Sequence, residues 1–314
     1  MIGKIINFKL FIISFFFIFF HQNVIKSIET KIVYKIDSEI ITNIDIENEE
    51  NYLKALNPNI KNLNKSEIVK ISKDSILREK IKKIEIIKNF ENPKIPEDFL
   101  EKLLKNVYST IGITTLSDFK DYLLSKNINY NNVLNKIETE ALWNELIVLK
   151  FSNKIKINEI KLREQAIKSV NKEIKSYLLS EIFFELDEDE KLDNKYKLIS
   201  DTIINKGFNN AALKYSISET ASIGGKLNWI DENSLNNKVK DLIKSKNKNE
   251  FTKPITVPGG FLILQVNDIK KIKSNKNIDE ELKKLIRSSK NLQLNQYSKM
   301  YFNRIKEDLN INEI

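Results

Sequence analysis

Apolar and polar positions alternate with different periods along the chain. Leu10 to Phe20 (LFIISFFFIFF) runs eleven residues without a charge, just after Lys4 and Lys9. Such a core suits a secretory signal and falls short of the roughly 20 residues a bilayer span needs. Cleavage after Ser27 predicts a signal peptide over 1–27. Ile25 is a poor fit to the small-residue rule for that cut, so an uncleaved N-terminal anchor stays open. From Lys31 the pattern alternates to Ile36, turns at Asp37-Ser38 and returns over Glu39 to Ile41, which predicts a hairpin. Thr42 and Asp45 have the spacing of a capping box at a helix start.

Helical spacing then takes over. Ile68, Ile71, Ile81, Ile84 and Ile87 mark one face of a helix from Ser66 to Asn89. Pro93 and Pro96 break the chain before a helix whose buried face is predicted as Phe99, Leu100, Leu103, Leu104 and Val107. A short helix capped by Ser117 follows, then Tyr130 to Phe151, with Trp143 read as a packing residue, and Ile157 to Val170. No catalytic grouping stands out over 43–170.

Near Lys172 the period changes. Lys175 to Leu186 predicts a strand, and Asp187 to Glu190 an acidic turn; four carboxylates hold a metal only where they converge. Two helices are predicted at Lys195 to Lys206 and Phe208 to Tyr215. A loop through Gly224-Gly225 leads to a helix from Leu235 to Ser245. Pro254 to Val257 and Phe261 to Val266 predict a hairpin across Pro258-Gly259-Gly260, with the proline–glycine centre of a type II turn. The order β-α-α-loop-α-β-β predicts a small α+β domain. Asn277 to Asn310 is helical again and is expected to pack back on the N-terminal helices. Of only seven glycines in 314 residues, five lie between Gly207 and Gly260, so the two Gly-Gly pairs mark places where a side chain would be blocked.

Composition narrows the chemistry. The chain is 41% hydrophobic and 30% charged, as for globular proteins. Its net charge of +9 comes from lysines interleaved with acids and not from a basic block, which argues against nucleic acid as a partner. There is no cysteine, and the single histidine, His21, lies in the predicted signal. The remainder then has no thiol nucleophile, no histidine base and no Cys- or His-ligated zinc. Its chemistry must use carboxylates, hydroxyls, Lys or Arg, or need no proton transfer. No metal or organic cofactor is implied.

Three pieces in order carry a resemblance. An aromatic-led helix ends in Tyr-Ser (Phe208 to Ser216), Gly-Gly-x-Leu-x-Trp follows (Gly224 to Trp229), and a proline–glycine hairpin with an alternating strand closes the set (Pro254 to Val266). The stretch 172–273 resembles a parvulin-type peptidyl-prolyl isomerase. The opening KIVYKIDSEIITNIDI resembles the start of SurA-type periplasmic foldases. The resemblance implies an α+β chain: a mostly helical chaperone domain over 28–171 plus 274–314, built of the N-terminal hairpin and helices and the C-terminal helix, with the parvulin-like domain inserted.

The resemblance also implies where a site would lie, and there the chain departs from the family. Glu181, Ser218 and Phe261 stand where the family carries a histidine, a Cys or Asp, and a second histidine. Leu235 and Val239 stand at apolar positions of the proline pocket, and Trp229 at its edge or in the core. Glu181 and Ser218 either form a hydrogen-bonded pair that steers a substrate carbonyl, or are a strand-surface residue and a loop cap. The implied function is a periplasmic prolyl isomerase and chaperone for exported and outer-membrane proteins, with unfolded or extended polypeptides as partners and no membrane span once the signal is removed. The alternative is an ATP-independent holdase whose parvulin module binds peptide with little or no isomerase activity.

Overall fold

A computed structural model describes residues 29–37, 39–170, 173–273 and 277–314. The predicted signal segment, 1–27, lies outside the described residues. The first elements are a hairpin of β1 (Ile32–Ile36) and β2 (Glu39–Thr42). Thr42 caps α1 (Asn43–Leu56): its hydroxyl accepts the Asp45 N–H at 3.2 Å, and the Asp45 carboxylate accepts the Thr42 N–H at 2.8 Å. Asn64 and Glu67 repeat this device at the head of α2 (Lys65–Asn89). Pro96 opens α3 (Glu97–Ser109), and α4 (Leu116–Ser125), α5 (Tyr130–Phe151) and α6 (Glu159–Ser169) follow. Leu53, Leu56, Leu104, Phe119, Leu123 and Val133 fill the core between the first of these helices. Phe99, expected on the buried face of α3, is exposed, because the apolar arc of that helix is narrower than the sequence pattern.

The chain then builds an antiparallel sheet of order β4-β3-β6-β5, from β3 (Glu173–Phe184), β4 (Lys226–Asp231), β5 (Ile255–Val257) and β6 (Gly260–Lys273). Alternate residues of β3 serve opposite faces. Ile182 and Phe184 pack under α7 (Leu192–Lys206) and α8 (Phe208–Tyr215). Tyr177 and Leu179 pack with α9 (Asn237–Lys244) on the other side. Two elements escaped the sequence reading. β4 lies where a loop was expected, as an edge strand whose Trp229 points outward. Past α10 (Ile278–Asp308), β7 (Ile311–Glu313) pairs with β1, Tyr34 opposite Glu313, to make the sheet β2-β1-β7.

The α10 helix joins the two parts, within one packed unit from Ile32 to Ile314. Its Tyr301 and Ile305 share a core with Ile81 of α2 and Trp143, Leu146 and Ile147 of α5. The architecture is α+β: a mostly helical body, with the four-stranded sheet and its helices lying in the chain before the last helix. Among the described residues, no helix is long and apolar enough to cross a membrane.

Candidate active site

The face of the sheet that carries α9 is not closed. Between it and α10 runs a groove of about 460 Å³. Its apolar wall comes from Leu179 on β3, Leu227 and Ile230 on β4, Leu235 and Val239 at the head of α9, and Leu262 and Leu264 on β6. Leu235 precedes the helix, because Asn236 is its cap: the Asn236 side chain accepts the Val239 N–H at 2.9 Å. This cap aims Val239 into the groove, 5% exposed.

Glu181 stands at one end. Its N–H donates to the Gly225 carbonyl at 2.8 Å, and its carboxylate accepts the Thr220 hydroxyl at 3.0 Å. Thr220 Oγ1 meets Ser218 Oγ at 2.8 Å, and Ser218 Oγ meets Ser216 Oγ at 2.9 Å. Ser216 in turn accepts the Phe183 N–H at 3.1 Å, while the Ile217 N–H donates to the Phe183 carbonyl at 2.8 Å. An extended strand of backbone over 216–218 thus lies against β3 and lines its hydroxyls up on one side. Ser218 is 2% exposed, so it is no loop cap at the surface.

The two candidates are therefore joined, not directly but through Thr220, which the sequence reading missed. The signal was present, since residues 216, 218 and 220 are all hydroxyl-bearing; a short 3-10 helix from Glu219 to Ile223 brings Thr220 back against Ser218. The helical body holds this loop from behind. Arg78 Nη1 donates to the Ser218 carbonyl at 3.3 Å, and Asn57 Nδ2 to the Ser222 carbonyl at 2.7 Å.

Two expected groove residues lie elsewhere. Phe261 does not line the groove. Its ring stacks on Phe184, 5.6 Å between centroids, on the face covered by α7 and α8. Strand period is two, so a placement one residue off changes face; Leu262 is the residue that reaches the groove. Trp229 is neither a pocket wall nor core. It is 38% exposed, with the Lys270 ammonium 4.0 Å from its ring centroid.

α10 supplies the opposite wall, with Asn291, Leu292, Asn295, Gln296, Lys299 and Phe302 among its contributions. Among the described residues, three cations line the groove: Arg78, Lys82 and Lys299. Lys82, 2% exposed, is ion-paired to Glu140 at 2.6 Å. Burial pushes the Lys299 ammonium below the usual lysine pKa, against the pull of Glu181, Glu219 and Glu185. Burial likewise raises Glu185, although Asn303 donates to its carboxylate. A larger cavity of about 820 Å³ lies between the helical body, which lines it with Tyr52, Leu53, Ile71, Phe99 and Val148, and the stretch from Leu213 to Ile223, and it shares Arg78, Lys82 and Glu219 with the groove. Among the described residues, no cluster of acids or histidines could hold a metal ion, the acidic turn at 187–190 included.

Residues 179–268 match the family described as "Rotamase: PPIC-type PPIASE domain". The Chaperone SurA of Shigella dysenteriae is 24% identical over 196 residues, covering 60% of this chain and 46% of its own length. The chain thus spans about half the length of the curated relatives it matches. A PpiC-type peptidyl-prolyl cis-trans isomerase domain of known structure aligns with 33% of this chain and 97% of its own, at 27% identity and a TM-score of 0.28. A SurA-like chaperone structure from Campylobacter jejuni, one of the pair PEB4 and Cj1289, aligns with 90% of this chain and 98% of its own, at 16% identity and a TM-score of 0.31.

Proposed function

From a chain that resembles the SurA-like foldases and carries one parvulin-type peptidyl-prolyl isomerase domain, we propose that the groove between α9, β6 and α10 binds proline-containing segments of unfolded polypeptides and speeds their cis–trans exchange. Rotation about a prolyl amide meets a barrier of about 18–20 kcal/mol, because twisting removes the amide resonance. No bond need break. A site lowers that barrier by holding the twisted amide better than the planar one. An apolar wall of Leu179, Leu235, Val239, Leu262 and Leu264 suits a proline ring. It also withholds the water that favours the charge-separated planar form. The observation that carries this reading is the meeting of that wall with the Glu181–Thr220–Ser218 chain at one end of a single groove.

We take residues 172–273 as the isomerase module and 28–171 with 274–314 as the chaperone body. We place the protein in the periplasm, with exported and outer-membrane proteins as clients. The predicted signal peptide, the absence of cysteine and the similarity to SurA support this placement.

A second reading, an ATP-independent holdase, draws on the 820 Å³ cavity, whose largely apolar lining offers a client seat adjoining the groove. A proline-limited refolding assay separates the two. Substoichiometric protein should accelerate the slow phase, and Leu235→Asp should abolish the effect. Suppressed aggregation with an unchanged slow phase would overturn the isomerase reading in favour of the holdase.

A further inference from the structure

The residues of the matched domain that line the groove are apolar, neutral polar or acidic. Of its hydroxyls, Thr220 donates to Glu181 and Ser218 lies between Thr220 and Ser216, while the Ser234 hydroxyl is buried without a partner. The cations that line the groove all come from outside residues 179–268. Two of the three are engaged, Lys82 with Glu140 and Arg78 with the Ser218 carbonyl. Lys299 differs. Among the described residues its ammonium makes no hydrogen bond and no ion pair. Its Nζ stands 3.6 Å from the centroid of the Phe183 ring, in the next inward-facing position of β3 after Glu181. A ring face holds a cation in place but offers it no lone pair. Desolvation weakens this ammonium, while the carboxylates of Glu181, Glu185 and Glu219 keep its charge favourable. The result is a half-buried, positioned donor with its hydrogen-bonding capacity unspent, on the wall opposite the apolar seat proposed for the proline ring.

We propose that Lys299, carried by the last helix and not by the isomerase domain itself, is a catalytic residue of the prolyl isomerisation, donating a hydrogen bond to the prolyl nitrogen of the bound substrate. The inference rests on the isomerase reading above. As the amide twists, the nitrogen lone pair leaves resonance and becomes an acceptor, whereas in the planar amide it is not one. A donor at that atom stabilises the twisted state selectively, which is the condition for raising kcat and not merely for tightening binding. The proton stays on Lys299 throughout. The family-matched domain would then be an incomplete catalyst, finished by a helix that also belongs to the chaperone body.

The test uses the full chain and a short prolyl peptide, with exchange followed by NMR. Lys299→Met and Lys299→Gln should each lower kcat/KM by about tenfold or more, the scale of one charge-assisted hydrogen bond. The loss should fall in kcat, with KM changed less than about twofold, and Lys299→Arg should keep a substantial part of the rate. Thermal unfolding of each variant shows which of them fold. If either folded neutral variant keeps the wild-type kcat/KM, Lys299 has no catalytic role, while the isomerase reading stands on the wild-type rate. If the wild-type chain binds the peptide without accelerating exchange, the isomerase reading falls, and this inference falls with it.

Discussion

Gly225 lies against the backbone of Glu181: a Cβ at Gly225 would fall 2.2 Å from the Glu181 carbonyl oxygen. The same two residues are tied by the Glu181 N–H, which donates to the Gly225 carbonyl at 2.8 Å. Gly225 has φ +74°, in the left-handed region. Gly225→Ala therefore meets both a strained backbone and a clash with a carbonyl that cannot move without disturbing β3. We expect a cost of about 3 kcal/mol or more, at the upper end of single-site effects. Denaturant unfolding of the wild type and variant checks it. A cost below about 1 kcal/mol would show that the loop from Ser218 to Gly225 is not held against β3 as described.

Glu67 joins the helical body to the inserted domain. Its carboxylate accepts from Lys206 at 2.6 Å and from Lys214 at 2.8 Å, on α7 and α8. Burial pushes this carboxyl up, but the hydrogen bonds from Lys206, Lys214 and the Asn64 N–H outweigh it and bring it down to about 2. A depressed carboxylate adds stability that is in place above its ordinary value near 4.5 and is lost as the pH falls toward about 2. At pH 7, Glu67→Gln should cost about 1 kcal/mol, since the lysines are partly solvated and screened. The gap between wild type and variant should narrow between about pH 4.5 and 2. Urea unfolding at a series of pH values measures it. A gap independent of pH in that window would contradict the role given to Glu67.

Ser298 links three elements. It accepts the indole N–H of Trp143 at 2.8 Å and donates to Glu219 at 3.2 Å. Trp143 is fully buried and stacks on Tyr301, with centroids 5.8 Å apart. Ser298→Ala leaves a buried indole N–H without its partner, at a cost of about 1–3 kcal/mol. Trp143→Ala removes the whole ring and should cost about 3–5 kcal/mol. Calorimetric or denaturant unfolding of both variants tests the pair. Equal effects would mean that the hydrogen bond, and not the packed ring, holds α10 to α5.

Much of this was legible in the sequence because the signals were local. The Thr42–Asp45 capping box, the buried Ile68, Ile71 and Ile81 of α2 and the Pro258–Gly259 turn each follow from local spacing, and Gly259 has the φ of +82° that such a turn demands; Ile87, read on the same face of α2, is exposed. β7 was missed because no turn signal flags its three residues, as Pro258-Gly259 flags β5, and its partner β1 lies far away in the chain. Lys299, Arg78 and Lys82 were missed for a different reason. They reach the groove from α10 and α2, and no spacing in the chain records which helix faces will meet. The polar end of the groove was half visible: Glu181 and Ser218 were candidates from the resemblance, but Thr220, which connects them, was not.

The strand β6 offers the sharpest division between folding and binding. Phe261 and Leu262 are neighbours on opposite faces. The first stacks on Phe184 beneath α7 and α8; the second lines the groove opposite α10. Phe261→Ala should cost about 3 kcal/mol of stability, the low end for an aromatic truncation because the ring is only partly buried, and leave peptide affinity in the folded fraction unchanged. Leu262→Asn places an amide on the apolar wall and should weaken prolyl-peptide binding by about tenfold, with a smaller loss of stability because that side chain already borders open space. Trp229→Ala, on the outer side of β4, should change neither binding nor exchange rate. Isothermal titration with a prolyl peptide, paired with unfolding curves, reads both properties in the same three variants. If Phe261→Ala abolished binding while Leu262→Asn did not, the substrate face of β6 would be the other one, and the groove beside α10 would not be the site.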